Sequence, residues 1–190
     1  MNKFLKTISI ALLVTISQTI SAQTNVKVDA AASKVNWVGK KLTGQHSGTI
    51  NIKEGNLIFT GKKLSGGNFI VDMTSINTTD LQAGKGKEDL DGHLKADDFF
   101  GTANHPTANL VFKSIGAKLK NTYAVVADLT IKGITKPINF DIVVNKNTAV
   151  SKLIVDRTKY DIKYGSKSFF ASIGDKAIED NFDLNVVLKF

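Results

Sequence analysis

Three histidines are the residues in this sequence whose type could bind a metal ion or move a proton: His46, His93 and His105. None has a second histidine two or four positions away, the spacing that places two imidazoles on one face of a strand or helix. The chain contains no cysteine, which excludes thiolate sites and disulfides. We therefore expect no metal site and no cofactor, and we interpret the histidines as packed or loop residues.

Carboxylates are concentrated around His93, where Asp89, Asp91, Asp97 and Asp98 occur within ten residues of one another. A pair of such groups could perform acid–base chemistry of the glycosidase kind. The same residues are typical of the solvated face and the caps of a short helix. No serine or threonine lies in a nucleophile-elbow pattern. We therefore expect no catalytic activity.

A basic glycine-containing stretch, GKGK at residues 84–87, could surround a phosphate with backbone donors and two positive charges. It lacks the spacing of a complete phosphate-binding loop. Because glycine and lysine are common in loops, we interpret it as a flexible basic loop.

The elements that must position these residues are β-strands, because apolar residues alternate with polar ones at a period of two. Turn residues at 53–56, 65–68, 120–122 and 145–147 predict hairpins, and Pro106 and Pro137 are expected at strand starts. Many short strands predict an all-β fold, and closure into an antiparallel barrel would remove exposed edges. The alternating segments are residues 35–37, 50–52, 57–59, 69–73, 110–112, 123–131, 138–144 and 182–190.

The stretch from Thr79 to Gly101 interrupts the alternation. Leu90 and Leu94 are four residues apart and share one face of a short helix. We predict a helical insertion that caps the mouth of the barrel, with Phe99 close behind it.

The first residues have the order of a secretory signal peptide: Lys3 and Lys6, then an apolar run, then small residues ending near Ala22. We predict a signal peptide at residues 1–22 and one domain at residues 23–190, in the periplasm or secreted. The formal charge of the whole chain is +8, and removing Lys3 and Lys6 leaves +6. The lysines are dispersed and Arg157 is the only arginine, so we expect no nucleic-acid partner.

Taken together, eight ordered segments resemble the YceI-like family of bacterial exported proteins, which are lipocalin-like, polyisoprenoid-binding barrels. The segments are VNWVGK at 35–40, GQHSG at 44–48, GNFIVDMTSI at 67–76, HLKADDFF at 93–100, HPTA at 105–108, FKS at 112–114, DLTIKGITKP at 128–137 and DR at 156–157. The resemblance implies an extended lipocalin-like antiparallel barrel of about eight strands around an elongated apolar pocket. It also implies export and a homodimer.

The alternation by itself leaves open whether the inward aromatic residues fill a core or line a cavity, and the resemblance favours a cavity for a polyisoprenoid or similar long-chain amphiphile. Near the entrance we expect Phe99 and Phe100, and for a polar or diphosphate head group we consider Lys40, His93 and Arg157. The apolar tail would contact Trp37, Phe59, Phe69, Val71, Phe112, Leu129 and Phe140.

Two other functions are considered. The C-terminal Phe190 after an alternating strand is a feature of small outer-membrane β-barrels, although three tyrosines and one tryptophan are too few for two aromatic girdles. A hydrolase using His93 on a prenyl-diphosphate head group is the other alternative. A lipid carrier, storage or buffering protein that contacts a membrane surface transiently is the function we expect.

Overall fold

The computed structural model describes residues 22–170, 174 and 177–190. The signal peptide predicted at residues 1–22 lies outside this part except for Ala22 and stays a prediction. No helix of the described residues has the length and apolar character needed to cross a bilayer. These residues form β1 (Gln23–Lys27), β2 (Lys34–Lys41), β3 (Gly44–Thr60), β4 (Lys63–Thr78), α1 (Lys87–Lys95), β5 (Thr107–Ala117), β6 (Thr122–Ile131), β7 (Ile134–Asn145), β8 (Thr148–Asp156), a 3₁₀ turn (Arg157–Tyr160) and β9 (Ile178–Lys189).

The sheet closes on itself through antiparallel pairs. Its order is β3-β2-β9-β8-β7-β6-β5-β4, and β4 pairs again with β3, which makes an eight-stranded barrel. β1 is an additional strand that pairs with the second half of β3, from Gln23 opposite Thr60 to Lys27 opposite Asn56. The predicted all-β antiparallel barrel of about eight strands with a short helical insertion is confirmed.

The barrel has two different ends. The helix end carries the β2–β3 turn, the connection from β4 to β5 that contains α1, the β6–β7 turn, and the connection from β8 to β9. The opposite end carries the short turns β3–β4, β5–β6 and β7–β8 together with the C-terminal Phe190. Long connections are thus restricted to one end, as expected for a barrel with a covered mouth on one side.

Two of the predicted hairpin turns are wrong, because residues 53–56 lie inside β3 and residues 65–68 lie inside β4. Their glycines serve close packing instead of a turn. A Cβ atom at Gly55 would lie 2.4 Å from Cδ1 of Phe69, and one at Gly67 would lie 2.8 Å from Cε2 of Phe112. The chain reverses at Gly61, whose φ of 60° favours glycine. The turns predicted at 120–122 and 145–147 are observed between β5 and β6 and between β7 and β8.

The helical insertion is held in place by Lys87 at the start of α1. Its Nζ donates to Asn77 Oδ1 at 2.6 Å, to the Thr78 carbonyl at 2.8 Å and to Asp91 Oδ2 at 2.6 Å. Burial raises the pKa of Asp91, but hydrogen bonds from Lys87 and Thr78 lower it more, so its pKa lies below the ordinary value. The lysine at the end of the predicted basic loop therefore ties α1 to β4, and its ammonium is already engaged.

The seam between β7 and β8 has fewer paired residues than the other seams of the barrel among the described residues, four pairs compared with five between β4 and β5. Over the described lengths of both strands, β7 and β8 pair only from Ile142 opposite Ser151 to Asn145 opposite Thr148. Where the pairing stops, Ser151 Oγ donates to the Asp141 carbonyl at 2.7 Å. Pro137 is an internal residue of β7, not its start as predicted. A proline is tolerated inside a strand at an unpaired edge, and β7 has no β8 partner at this residue.

Candidate functional site

The barrel interior contains a cavity at the helix end, here named cavity 1, of about 840 Å³ including its opening to solvent. Its walls come from inward residues of the strands and from the connection after α1. Among the wall residues, the charged side chains are Arg157 and Glu179, and the others are apolar or glycine. Of the predicted site residues, those that line cavity 1 are Trp37, Val71, Phe99, Phe100, Leu129 and Arg157.

A second cavity, cavity 2, lies towards the opposite end of the barrel and measures about 590 Å³ including its opening to solvent. Its only polar wall residue is Ser151. The two cavities share Val35, Val71, Leu129 and Leu184, so they adjoin along the barrel and these residues mark the junction between them. The predicted residues that line cavity 2 are Phe69, Val71, Phe112, Leu129 and Phe140.

Aromatic rings line both cavities. In cavity 2 the ring centroids of Phe69 and Phe112 are 5.8 Å apart, and those of Phe112 and Phe140 are 5.7 Å apart. In cavity 1 the rings of Phe99 and Phe100 meet edge to face at 5.1 Å. Such tilted contacts fix ring positions and keep the wall rigid.

Arg157 is the buried cation at the wall of cavity 1, with 2% of its surface exposed. Its guanidinium donates to four backbone carbonyls: Nε to Glu179 at 3.1 Å, Nη1 to Ile162 at 2.9 Å and Tyr164 at 2.8 Å, and Nη2 to Ile178 at 3.0 Å. Four of the five N–H groups of the side chain are therefore used within the protein. Arg157 therefore links the segment after the 3₁₀ turn to the start of β9 through these hydrogen bonds.

The charge of Arg157 is balanced by one nearby carboxylate. Asp180 Oδ1 lies 3.8 Å from Nη2. Burial lowers the pKa of Arg157, and the charges of Asp180 and Asp156 act in the opposite direction. An apolar ring also faces the cation, because the guanidinium carbon lies 5.7 Å from the centroid of Phe99.

His93 lies in the last turn of α1 and does not line either cavity. Its ring contacts Tyr164 at 4.3 Å and Phe99 at 5.6 Å between centroids. The nearby carboxylate of Asp91 is engaged with Lys87 and the Thr78 backbone. The structure therefore places His93 in an aromatic stack behind Phe99, without a carboxylate partner within the described residues.

Two other predicted site residues also lie outside the cavity walls. Lys40 Nζ forms a 3.0 Å ion pair with Asp183, and its hydrogen bond lowers the pKa of that carboxyl. Phe59 packs against Phe190 at the opposite end, with 6.1 Å between ring centroids. Wall residues that the sequence reasoning did not include as site residues are more numerous, and Met73, Leu94, Phe182 and Leu184 are examples. Met73, Phe182 and Leu184 belong to alternating segments, so the same signal could have found them.

Other ionisable groups at the helix end form pairs. His46 Nδ1 lies 3.0 Å from Asp80 Oδ2, and the Ser47 amide donates to the other Asp80 oxygen. Among residues 22–170, 174 and 177–190, no three His, Asp or Glu side chains converge in a way that could hold a metal ion.

The closed antiparallel barrel with a hollow, apolar interior defines a class of proteins that enclose a cavity within one β-sheet. Comparison with protein families matches residues 26–190 to the YceI-like domain. The chain therefore belongs to the YceI-like domain family.

Solved structures similar to this chain have the same fold at low sequence identity. BcnA of Burkholderia cenocepacia has a TM-score of 0.63 and 21% identity, covering 85% of this chain and 98% of that one. A polyisoprenoid binding domain from Saccharophagus degradans has a TM-score of 0.59 and 17% identity, covering 85% of this chain and 95% of that one.

Curated relatives match over shorter lengths. A UPF0312 protein of Shewanella denitrificans is 33% identical over 91 residues, which are 48% of this chain and 45% of the relative. A UPF0312 protein of Staphylococcus epidermidis is 38% identical over 111 residues, covering 50% of this chain and 60% of the relative. The chain thus spans about half the length of these curated relatives.

Proposed function

We propose that this protein binds the tail of a polyisoprenoid or a similar long-chain amphiphile inside the barrel and carries, stores or buffers it in the bacterial envelope without chemical turnover. The observation that carries the proposal is the pair of adjoining cavities 1 and 2 inside the barrel, whose walls are almost entirely apolar. Apolar walls with very few polar groups suit the tail of a lipid better than a polar ligand. The similar domain from Saccharophagus degradans, described as polyisoprenoid binding, supports the same ligand class.

The driving force of this binding is removal of the tail from water, worth about 0.8 kcal/mol for each buried methylene. In this proposal the tail contacts Trp37, Val71, Leu129 and the phenylalanines of both walls. Cavity 2 has one polar wall residue, Ser151, and its hydroxyl hydrogen is already donated to the Asp141 carbonyl. Cavity 2 therefore offers no hydrogen-bond donor to a polar head group, and in this proposal the head group stays in cavity 1 at the helix end.

The head group contacts considered from the sequence need revision under this proposal. Arg157 uses four N–H donors on backbone carbonyls, and Lys40 is paired with Asp183. Arg157 has one N–H donor left for a ligand, and Lys40 is drawn to Asp183 and does not line either cavity. An amphiphile with an uncharged head group, such as an alcohol or a quinone, fits such a site better than a prenyl diphosphate.

The outward face of the barrel supports a role outside the hydrocarbon core of a membrane. It carries the ion pairs Lys113–Asp128 at 3.5 Å and Lys118–Asp141 at 2.7 Å. Membrane barrels have the reverse arrangement, with apolar residues outward and a polar interior. Recovery of the protein in the envelope fraction only after detergent extraction would favour the outer-membrane alternative.

The ligand itself is the decisive measurement. Protein purified without detergent should release an isoprenoid-like compound on organic extraction, and native mass spectrometry should show the matching mass increase. Protein with no extractable lipid and no uptake of prenyl alcohol probes would refute the proposal. For the hydrolase alternative, incubation with a prenyl diphosphate should release no phosphate, and release that is lost in His93→Ala would favour that alternative.

A further inference from the structure

Three aromatic side chains are half exposed on the segment that follows β8. Tyr164, Phe169 and Phe170 have exposed fractions of 48%, 50% and 48%. We name them the aromatic patch. Large apolar side chains exposed close together in one short segment are typical of interaction surfaces, whereas single exposed apolar residues are ordinary.

The aromatic patch is accompanied by lysines. Residues 159–170 include Lys159, Lys163 and Lys167 but only one carboxylate, Asp161. Lys163 Nζ lies 2.7 Å from Asp161 and 5.3 Å from the centroid of the Phe169 ring. Lys159 lies 3.8 Å from Asp156. Counted with these two carboxylates, the three lysines leave one net positive charge on this surface, and the formal charge of the whole chain is +8.

A chain of aromatic contacts joins the patch to the cavity. The ring of Tyr164 contacts His93 at 4.3 Å, and His93 contacts Phe99 at 5.6 Å. Phe99 lines cavity 1. Arg157 fastens the base of the segment, because its Nη1 donates to the carbonyls of Ile162 and Tyr164. The patch therefore lies at the helix end, on a segment fixed to the wall of cavity 1.

We infer that the aromatic patch and its lysines are a docking site for the surface of an anionic lipid bilayer, next to the opening through which the tail enters. This inference rests on the proposed function, since a tail that leaves a bilayer should reach the cavity without crossing water. Aromatic side chains insert at the boundary of head groups and acyl chains, and lysines are attracted to anionic head groups. The formal charge of +6 that remains without Lys3 and Lys6 attracts an anionic bilayer and repels a second copy of this basic chain, and the aromatic patch adds the apolar contact.

Vesicle flotation tests the inference directly. The mature protein should float with vesicles of phosphatidylcholine containing about a third phosphatidylglycerol, and much less with phosphatidylcholine alone. The double variant Phe169→Ser and Phe170→Ser should bind at least about tenfold more weakly. Each of Lys159, Lys163 and Lys167 changed to Gln should weaken binding about fivefold at low salt.

The matched control is Leu119→Ser, which removes an apolar side chain that is 87% exposed in the β5–β6 turn at the opposite end. It should leave vesicle binding unchanged. Equal vesicle binding by the parent protein and the double variant, or equal losses in the double variant and Leu119→Ser, would overturn the docking site. Sedimentation that shows a dimer dissociated by the double variant would identify a second copy as the occupant and also overturn it.

A separate measurement distinguishes this inference from the proposed function. Uptake of a fluorescent prenyl alcohol from solution should be the same for the parent and for the double variant, because the patch residues do not line the cavities. Loss of vesicle binding with normal uptake supports docking. Normal vesicle binding without uptake would refute the lipid cavity and leave the docking site standing.

Discussion

Replacing Val71 with tryptophan tests whether the two cavities act as one site for an elongated tail. Val71 lies on β4 at the junction, with Val35, Leu129 and Leu184 as the other shared wall residues. A tryptophan side chain at this position would fill the junction and separate cavity 2 from cavity 1. Because β4 is paired at Val71 on both sides, with Ile52 of β3 and Ala108 of β5, we expect the backbone to stay in place and the ring to remain inside the junction.

The expected effect can be worked out from the tail. One five-carbon isoprene unit that enters cavity 2 gains up to about 4 kcal/mol from burial, at about 0.8 kcal/mol per carbon. Ordering its rotatable bonds offsets a large part of this gain, which leaves about 1–2 kcal/mol, or about 5- to 30-fold in Kd for each unit. In the parent protein Kd should fall with each added unit until both cavities are full. In Val71→Trp the fall should stop once cavity 1 is full.

The assay is displacement of a fluorescent prenyl probe by prenyl alcohols of increasing length. Ile154→Trp is the control, because Ile154 points out of the barrel with 61% of its surface exposed and does not line either cavity. Its length dependence should match that of the parent. If Val71→Trp, shown to be folded by thermal unfolding, keeps the parent length dependence, the two cavities do not hold one tail.

Three further predictions concern stability. Arg157→Lys leaves several backbone carbonyls without their donors and should lower the free energy of unfolding by about 3 kcal/mol in urea titrations. Gly67→Ala forces the ring of Phe112 to move and should cost about 1–3 kcal/mol, whereas Gly116→Ala, where a Cβ meets nothing within 4 Å, should cost less than about 1 kcal/mol. Burial and the charge of a neighbouring aspartate raise the pKa of Tyr160 to about 12, so the folded state keeps a proton that the unfolded state loses from about pH 10. The contribution of Tyr160 is therefore complete below pH 10 and falls by up to about 2–3 kcal/mol as the pH rises towards 12, a decrease that Tyr160→Phe should lack.

A different result in each of these three stability measurements would contradict the reasoning behind it. A change below about 1 kcal/mol in Arg157→Lys would show that the four carbonyl contacts are dispensable. Equal effects of the two glycine substitutions would show that the Phe112 contact does not matter. A parallel alkaline decrease in Tyr160→Phe and the parent would show that Tyr160 is not its source.

Much of the fold could be predicted from the sequence, because alternation at a period of two directly reports which face of a strand is buried. The buried residues Val125, Leu129, Ile131 and Phe140 all belong to segments recognised in this way. The two wrong turn predictions both fall on segments that contain glycine. At Gly55 and Gly67 the sequence has the composition of a turn, but the glycine makes room for a ring contributed by a strand elsewhere in the chain.

The site could be predicted only where it depends on the same alternation. The aromatic wall residues other than Phe182 were found, although their alternation could not say whether they enclose space or fill it. Lys40, His93 and Arg157 were selected as contacts of the head group, and some of the groups that engage them lie far away in the sequence. Lys40 is paired with Asp183, 143 positions later. No local pattern reveals such a pairing. The sequence therefore does not distinguish a lysine or arginine that is already paired within the protein from one that is free to bind a ligand.

The barrel wall should open with a smaller free-energy cost at the seam between β7 and β8, where the two strands are only partly paired. Where two strands are paired, separating them breaks a ladder of backbone hydrogen bonds, whereas β7 and β8 have no such ladder beyond Ile142 and Ser151. Phe140 and Leu153 line cavity 2 on the two sides of this seam. A methyl-branched chain, wider than a straight one, could thus be accommodated by outward movement at the seam while the remaining strands keep their register.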